Sequence, residues 1–484
     1  MTVLLRLAAA TLALAAVSAC SHGTPERSPS EPTPIVATSN AHGWSGTQVR
    51  ALQAQLRSAL SASALATSGV AVVDSDGRPL FVRRERTALT PASTFKVLVG
   101  AAALTTLGPA YRFPTTFESI ADPRDGRLDG DLYLVGSGDP TLTRDDLRGG
   151  AGSVARAGVR EVRGALIADA GTFSGSETNP AWDPGDLQYG YAAGTSALSL
   201  DQGTVEFHLV PTVAGAPARI RVLPPSGAVR VFGSVLSSYT TLLTIQRDPG
   251  RNDFTFAGRV AEEQSFWRPV IDLPRYAAEV ARAMLRDRGV SVDGGVRVGV
   301  APVAPLVLWR HRSPPLSKIV HEMFIESNNH FAEQLLRALG ATRGAGTESG
   351  GGRIERELLV RDGVPEDGLR IVDGSGLAAS DRVAPITLAT LLARAAEEPG
   401  GTAFVAMLPR VGIEGTVRWR RVHDARGRAR AKSGHIRFVN ALAGYVQTRR
   451  HGRVAFAIIV NDPRADDGPV DAGIDRALDL LARD

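Results

Sequence analysis

Lysine is almost absent. The chain of 484 residues carries 55 basic side chains, and all but Lys96, Lys318 and Lys432 are arginine. Arginine is always charged, whereas lysine gives up its proton when it is desolvated or placed beside another cation. A chain that meets its general need for positive charge with arginine leaves lysine for places where a removable proton matters. Cysteine occurs once, at Cys20, which excludes a disulfide framework and a cysteine-zinc site. Beyond Cys20 no apolar run approaches membrane length. There is no P-loop, no His-Glu-x-x-His metal motif and no Gly-x-Ser-x-Gly elbow. "GSGDP" (136–140) lacks the third glycine of a dinucleotide fingerprint and reads as a structural turn. The net charge of +5 is spread along the chain without basic blocks. That gives no sign of a nucleic-acid partner and suits an anionic cell envelope.

What is present is an ordinary globular composition, 43% hydrophobic and 22% charged, over a length that fits two or three domains. "MTVLLRLAAATLALAAVSAC" (1–20) has Arg6, an apolar core and small residues, the pattern of a signal peptide. "VSAC" resembles a lipobox, with Cys20 as the lipidated residue that would hold the protein to a membrane. The alternatives are an ordinary signal peptide cut nearby and an unprocessed anchor. Residues 21–45, rich in Ser and Pro, read as a flexible tether. Helical spacing over 47–65, a hairpin around "SDGR" and an apolar helix in "STFKVLVGAAALTTLG" follow. From 112 to 299 the texture turns to short strands, with a β-rich stretch at about 200–262. It reads as an inserted accessory region, either one domain or two nested ones. Helical texture returns from 300. The C-terminus reads as one strand ("HIRFVNALAGYVQT"), a turn, a second strand and a helix. The opening hairpin (in 46–111) and this closing hairpin (in 300–484) are expected to share one antiparallel sheet flanked by helices, an α/β (α+β) domain.

Three short motifs occur in order: "STFK" with Ser93 and Lys96, "SNN" with Ser327 and Asn329, and "KSG" with Lys432, Ser433 and Gly434. Two of the three lysines therefore sit in motif positions. Lys318, following Ser317 on a helical stretch, reads as a solvated residue. A serine hydroxyl is a poor nucleophile until a base takes its proton. A neutral Lys96, one helical turn from Ser93, could do so, with its pKa lowered by burial and by Lys432. Ser327 could relay a proton to a leaving amine, and Asn329 offers donor and acceptor to a substrate amide. Lys432 is expected to hold a carboxylate, assisted by the Ser433 hydroxyl. The N–H of Ser93, with that of His435, would form an oxyanion hole. His435 as the base is the weaker reading, because a lysine already fills that role.

The ordered set Ser-x-x-Lys, Ser-x-Asn, Lys-(Thr/Ser)-Gly is similar to that of serine penicillin-binding proteins and serine β-lactamases. The long interval between Ser93 and Ser327 resembles the class C low-molecular-mass penicillin-binding proteins, the D-alanyl-D-alanine carboxypeptidase/endopeptidase family. "GDLYLVGSGDPTLT" (130–143), "VDGSGLAASDRVAP" (372–385), "LPRVGIEGTV" (408–417) and "ARAKSGHIRFVNALAGYV" (429–446) resemble it too. Ser433 stands where threonine is usual, and His435 where a small hydroxyl residue is common. The resemblance implies a β-lactamase/transpeptidase-like catalytic domain with inserted β-rich domains. It implies cleavage of terminal D-Ala-D-Ala on peptidoglycan stem peptides through an acyl-serine, with β-lactams as covalent inhibitors and no metal or cofactor. It also implies that Ser375 lines the substrate pocket, although "DGSGL" (373–377) reads equally as a tight turn. Rival readings are a β-lactamase and a catalytically silent wall-binding scaffold.

Overall fold

The structure, a computed structural model, describes residues 43–303, 305–462 and 467–484. The expected signal peptide, Cys20 and the expected tether up to residue 42 lie outside the described residues. Ser45, the last residue of the expected tether, already caps helix α1 (Gly46–Ala59). Its hydroxyl accepts from Gln48 N while the Gln48 side chain accepts from Ser45 N, a reciprocal capping box. Among the described residues no helix is long and apolar enough to cross a membrane.

The first and last parts of the chain form one sheet. Strands β1 (Gly69–Val73), β2 (Pro79–Arg83), β3 (Ala429–Ile436), β4 (Val439–Gln447) and β5 (Arg453–Asn461) pair throughout antiparallel in the order β3-β4-β5-β1-β2. The expected single strand over 435–448 is thus two, because the chain turns at Arg437 and Phe438. Phe438 has φ 67. A turn made by a bulky residue in the left-handed region carries none of the Gly or Asn that announces a hairpin.

Both faces of this sheet are covered, which explains the unbroken apolar runs of β1 and β5. Ala455, Ala457 and Ile459 of β5 point into a core shared with α2 (Lys96–Leu107), α3 (Leu316–Glu326), α4 (Asn329–Ala341), α5 (Glu348–Arg361) and α6 (Pro385–Glu397). Val454, Phe456, Ile458 and Val460, alternating with them, point into a second core under α1 and α7 (Asp467–Arg483).

The inserted region has its own five-stranded sheet. Its order is 296–298, 166–169, 132–136, 114–119, 306–312. Leu306–Arg312 pairs with Pro114–Ser119, so this sheet reaches to residue 312, beyond the expected boundary at 299. The strand "LVLWRHR" is an edge with few β-branched residues and no clean alternation, so its own pattern does not announce it. The inner β-rich unit also extends further than 200–262, since Gln264–Pro269 pairs with Thr204–Val210. Phe207, Phe254 and Phe256 from it share a core with Leu134 and Leu166 of the five-stranded sheet.

Candidate active site

Ser93 sits in a single 3₁₀ turn, Ala92–Phe95, that runs directly into α2. Ala92 has φ 47, a conformation that L side chains rarely adopt. Two glycines make room for this turn. A Cβ on Gly434 would lie 2.7 Å from Pro91 O and 3.0 Å from Ser93 N, and one on Gly376 (φ 77) would overlap Ala92 O. The glycine of "KSG" and the second glycine of "DGSGL" therefore let backbone pack onto the nucleophile turn.

Lys96, one turn on, is fully enclosed. Its Nζ lies 2.9 Å from Ser93 Oγ, 2.7 Å from Asn329 Oδ1 and 2.8 Å from Ser375 O. Burial pushes the amine down from 10.5 to about 7, against the pull of Asp373 and Glu333. An amine in that range is neutral for much of the time at neutral pH, as a general base must be.

Ser327 ends α3 in the left-handed region (φ 56) and lines the cleft opposite Ser93. Asn328 caps α4 by accepting from Phe331 N, which leaves Asn329 to the site. Both amides are held by the insert: Asn328 Nδ2 donates to Gln202 Oε1 at 2.8 Å, and Asn329 Nδ2 to Tyr191 O at 2.9 Å.

The third motif lies on the edge strand β3, and the two-residue repeat of a strand divides it. Lys432 and Gly434 face the nucleophile turn, while Ser433 and His435 alternate with them. Lys432 is 0% exposed and its Nζ donates to Ser433 O at 2.7 Å. Its side chain is thus on the inward face of the strand, behind the place expected for a substrate carboxylate. Burial, and next the charge of Lys96, push its amine well below the usual value. At Lys96, burial is the cause of the lowered pKa, not Lys432. The cleft instead receives the Ser433 hydroxyl, 2.7 Å from Thr416 Oγ1. Thr416, inside "IEGTV", had no local signal beyond the resemblance of that stretch. The His435 side chain is exposed and lines the cleft, its Nε2 3.9 Å from Asp467 Oδ2, while the amine within reach of Ser93 Oγ is that of Lys96.

The expectation for Ser375 is corrected. Its side chain is completely buried and accepts from Leu377 N, so it does not line the cleft; its backbone carbonyl supports Lys96. Lys318 is exposed and pairs with Glu322 at 3.8 Å on the surface of α3, as a solvated residue does. "GSGDP" is a turn, with Asp139 Oδ1 accepting from Thr141 N and Oγ1.

The cleft in front of Ser93 encloses about 820 Å³. From Ser327, Thr416 and Ser433 it continues past Trp419 and Arg421 to Arg476 on α7.

The chain is 35% identical over 462 residues to a D-alanyl-D-alanine carboxypeptidase of Actinomadura sp. (strain R39), covering 90% of this chain and 85% of that one. It is 27% identical over 394 residues to the D-alanyl-D-alanine carboxypeptidase DacB of Haemophilus influenzae, covering 78% and 81%. The crystal structure of penicillin binding protein 4 (dacB) from Haemophilus influenzae has the same fold, with a TM-score of 0.78 at 24% identity over 88% of this chain and 98% of that one. Residues 52–483 match the D-Ala-D-Ala carboxypeptidase 3 (S13) family, and the chain belongs to that family.

Proposed function

We propose that this serine D-Ala-D-Ala carboxypeptidase works through an acyl-enzyme on Ser93 with Lys96 as the base. One observation carries the reading. Lys96 Nζ has three near neighbours, and two of them, Asn329 Oδ1 and Ser375 O, are carbonyl oxygens that can only accept. A neutral amine has two N–H bonds and one lone pair. With both N–H bonds given to the carbonyls, the lone pair is left for the Ser93 hydroxyl proton.

Ser93 Oγ then attacks the carbonyl of the penultimate D-alanine, and its proton passes to Lys96. The Ser93 N–H and the backbone at His435 receive the negative charge on the carbonyl oxygen. When the C–N bond breaks, the Ser327 hydroxyl passes a proton to the departing amine, and D-alanine leaves. Water then hydrolyses the ester and returns Ser93. The Ser433 and Thr416 hydroxyls meet the terminal carboxylate. The substrate is a peptidoglycan stem peptide, and β-lactams acylate the same serine. The cleft beyond Ser433, with Trp419, Arg421 and Arg476, has room for a leaving group larger than alanine, which supports cleavage of cross-bridges as well. The leader pattern of residues 1–20 supports an extracytoplasmic place, with a lipid at Cys20 holding the protein to the membrane.

The test is the pH dependence of D-alanine release from a D-Ala-D-Ala peptide. Lys96 must be neutral to act, so kcat/KM should rise tenfold per unit on the acid side and level off above about 7. A profile flat between pH 5 and 9 would remove Lys96 as the base.

A further inference from the structure

Helix α4 presents two side chains to Lys96, one turn apart on one face. Asn329 opens the helix and bonds the amine directly. Glu333, four residues on, reaches it through the chain. Glu333 Oε1 accepts from Ser375 N at 2.8 Å and from Gly374 N at 3.1 Å, and the Ser375 hydroxyl bonds the same carboxyl group. The Ser375 carbonyl, fixed by these bonds, receives Lys96. Asp373 secures the far end of the segment: it accepts from Gly376 N at 2.6 Å, Ala378 N at 2.7 Å and Trp182 Nε1 at 2.8 Å. Lys96, Asp373 and Ser375 are 0% exposed and Glu333 only 2%.

Enclosing a carboxyl group costs stability unless its bonds are made, and a segment of buried backbone needs every N–H paired. Glu333 meets both needs, and the geometry it produces bears on the reacting atoms. We propose that Glu333 is a positioning residue for acylation: it clasps Gly374 and Ser375 so that the Ser375 carbonyl takes one N–H of Lys96 and the amine's lone pair is left facing Ser93. This rests on Lys96 being the base. The groups facing Glu333 are Lys96 from α2, Asp373 from the clasped segment and Glu355 from α5, with Asp381 bonded behind Asp373. Burial pushes the Glu355 carboxyl well above the usual range. Burial pushes the Glu333 carboxyl up to about 8, and in its ionised form its charge, with that of Asp373, pulls Lys96 upward.

Three variants test this: Glu333→Ala, Glu333→Asp and Glu333→Gln. The readout is the rate of acylation by a fluorescent penicillin from pH 5 to 9, with a thermal melt of each protein. Glu333→Gln keeps an oxygen for both N–H groups and should acylate within about threefold of wild type at the plateau. Glu333→Ala releases the carbonyl and should lose about tenfold or more, the size expected for one misplaced hydrogen-bonding group. Its acid limb should move to lower pH, because the amine loses a carbonyl and a carboxyl that favour its charged form. A residue that only stabilises the fold would lower the melt and leave that limb in place. Should the alanine variant not fold, Glu333→Asp, one methylene too short, is expected to show the same loss. A folded alanine or aspartate variant that acylates within threefold with an unmoved acid limb overturns the proposal. So does a glutamine variant that loses as much as the alanine variant. A pH-independent wild-type rate would instead strike the base assignment itself, which keeps the two failures apart.

Discussion

Lys96→Met is expected to acylate Ser93 roughly a hundred- to ten-thousandfold more slowly than the wild-type chain, the range for loss of a positioned general base. Methionine nearly fills the same enclosed volume and cannot take a proton, so the fold should persist. Lys96→Arg is the sharper companion. It keeps the positive charge but cannot give up a proton at neutral pH. The guanidinium introduced there would also donate to Asn329 Oδ1 and Ser375 O, leaving Ser93 without a lone pair to accept its proton. Both variants should therefore fail alike in acylation by penicillin, followed in stopped flow, while melting cooperatively. Wild-type rates in the arginine variant would show that a cation, and not a base, is needed beside Ser93.

The second large effect concerns Lys432. Its amine is enclosed and donates to Ser433 O on the edge strand that packs against the Ser93 turn, so removing it loosens the strand that holds the nucleophile. Lys432→Met should slow D-alanine release about tenfold, with the acid limb left in place because burial, not Lys432, lowers the Lys96 pKa. Because Lys432 does not line the cleft, a peptide ending in a free carboxylate and one ending in an amide should lose equally. Ser433→Ala should behave otherwise. Its hydroxyl faces the cleft beside Thr416, and a hydrogen bond to a charged group contributes about 1.5–3 kcal/mol. The free acid should then lose about ten- to a hundredfold in kcat/KM and the amide much less. A selective loss on the free acid from Lys432→Met would return the carboxylate to that lysine.

The parts of this site that were legible in the sequence are those whose chemistry is local. Ser93 and Lys96 are one helical turn apart, and the scarcity of lysine marked the second of them. Asn329 and Ser327 sit at a helix junction that "SNN" announces. What stayed hidden depends on burial and on distant neighbours. Ser375 between two glycines reads as a tight turn, and nothing local shows that Glu333 and Asp373 draw that turn into the core. Lys432 reads as a free charge until the pleat of β3 turns it inward. The hold of Gln202 and Tyr191 on the "SNN" amides crosses more than a hundred residues of chain, and no spacing rule connects them. The extent of the sheet in the insert was missed for the same reason: the pairing of 306–312 with 114–119 is long-range, and the strand itself is short of β-branched residues.

The most direct measurement is mass spectrometry of the whole protein after brief exposure to benzylpenicillin, with peptide mapping of the product. One added penicilloyl group is expected, carried by the peptide with Ser93, formed in the wild type, nearly absent at short times in Lys96→Met and absent in Ser93→Ala. An adduct on another residue, or one that forms at the wild-type rate in Lys96→Met, would contradict it.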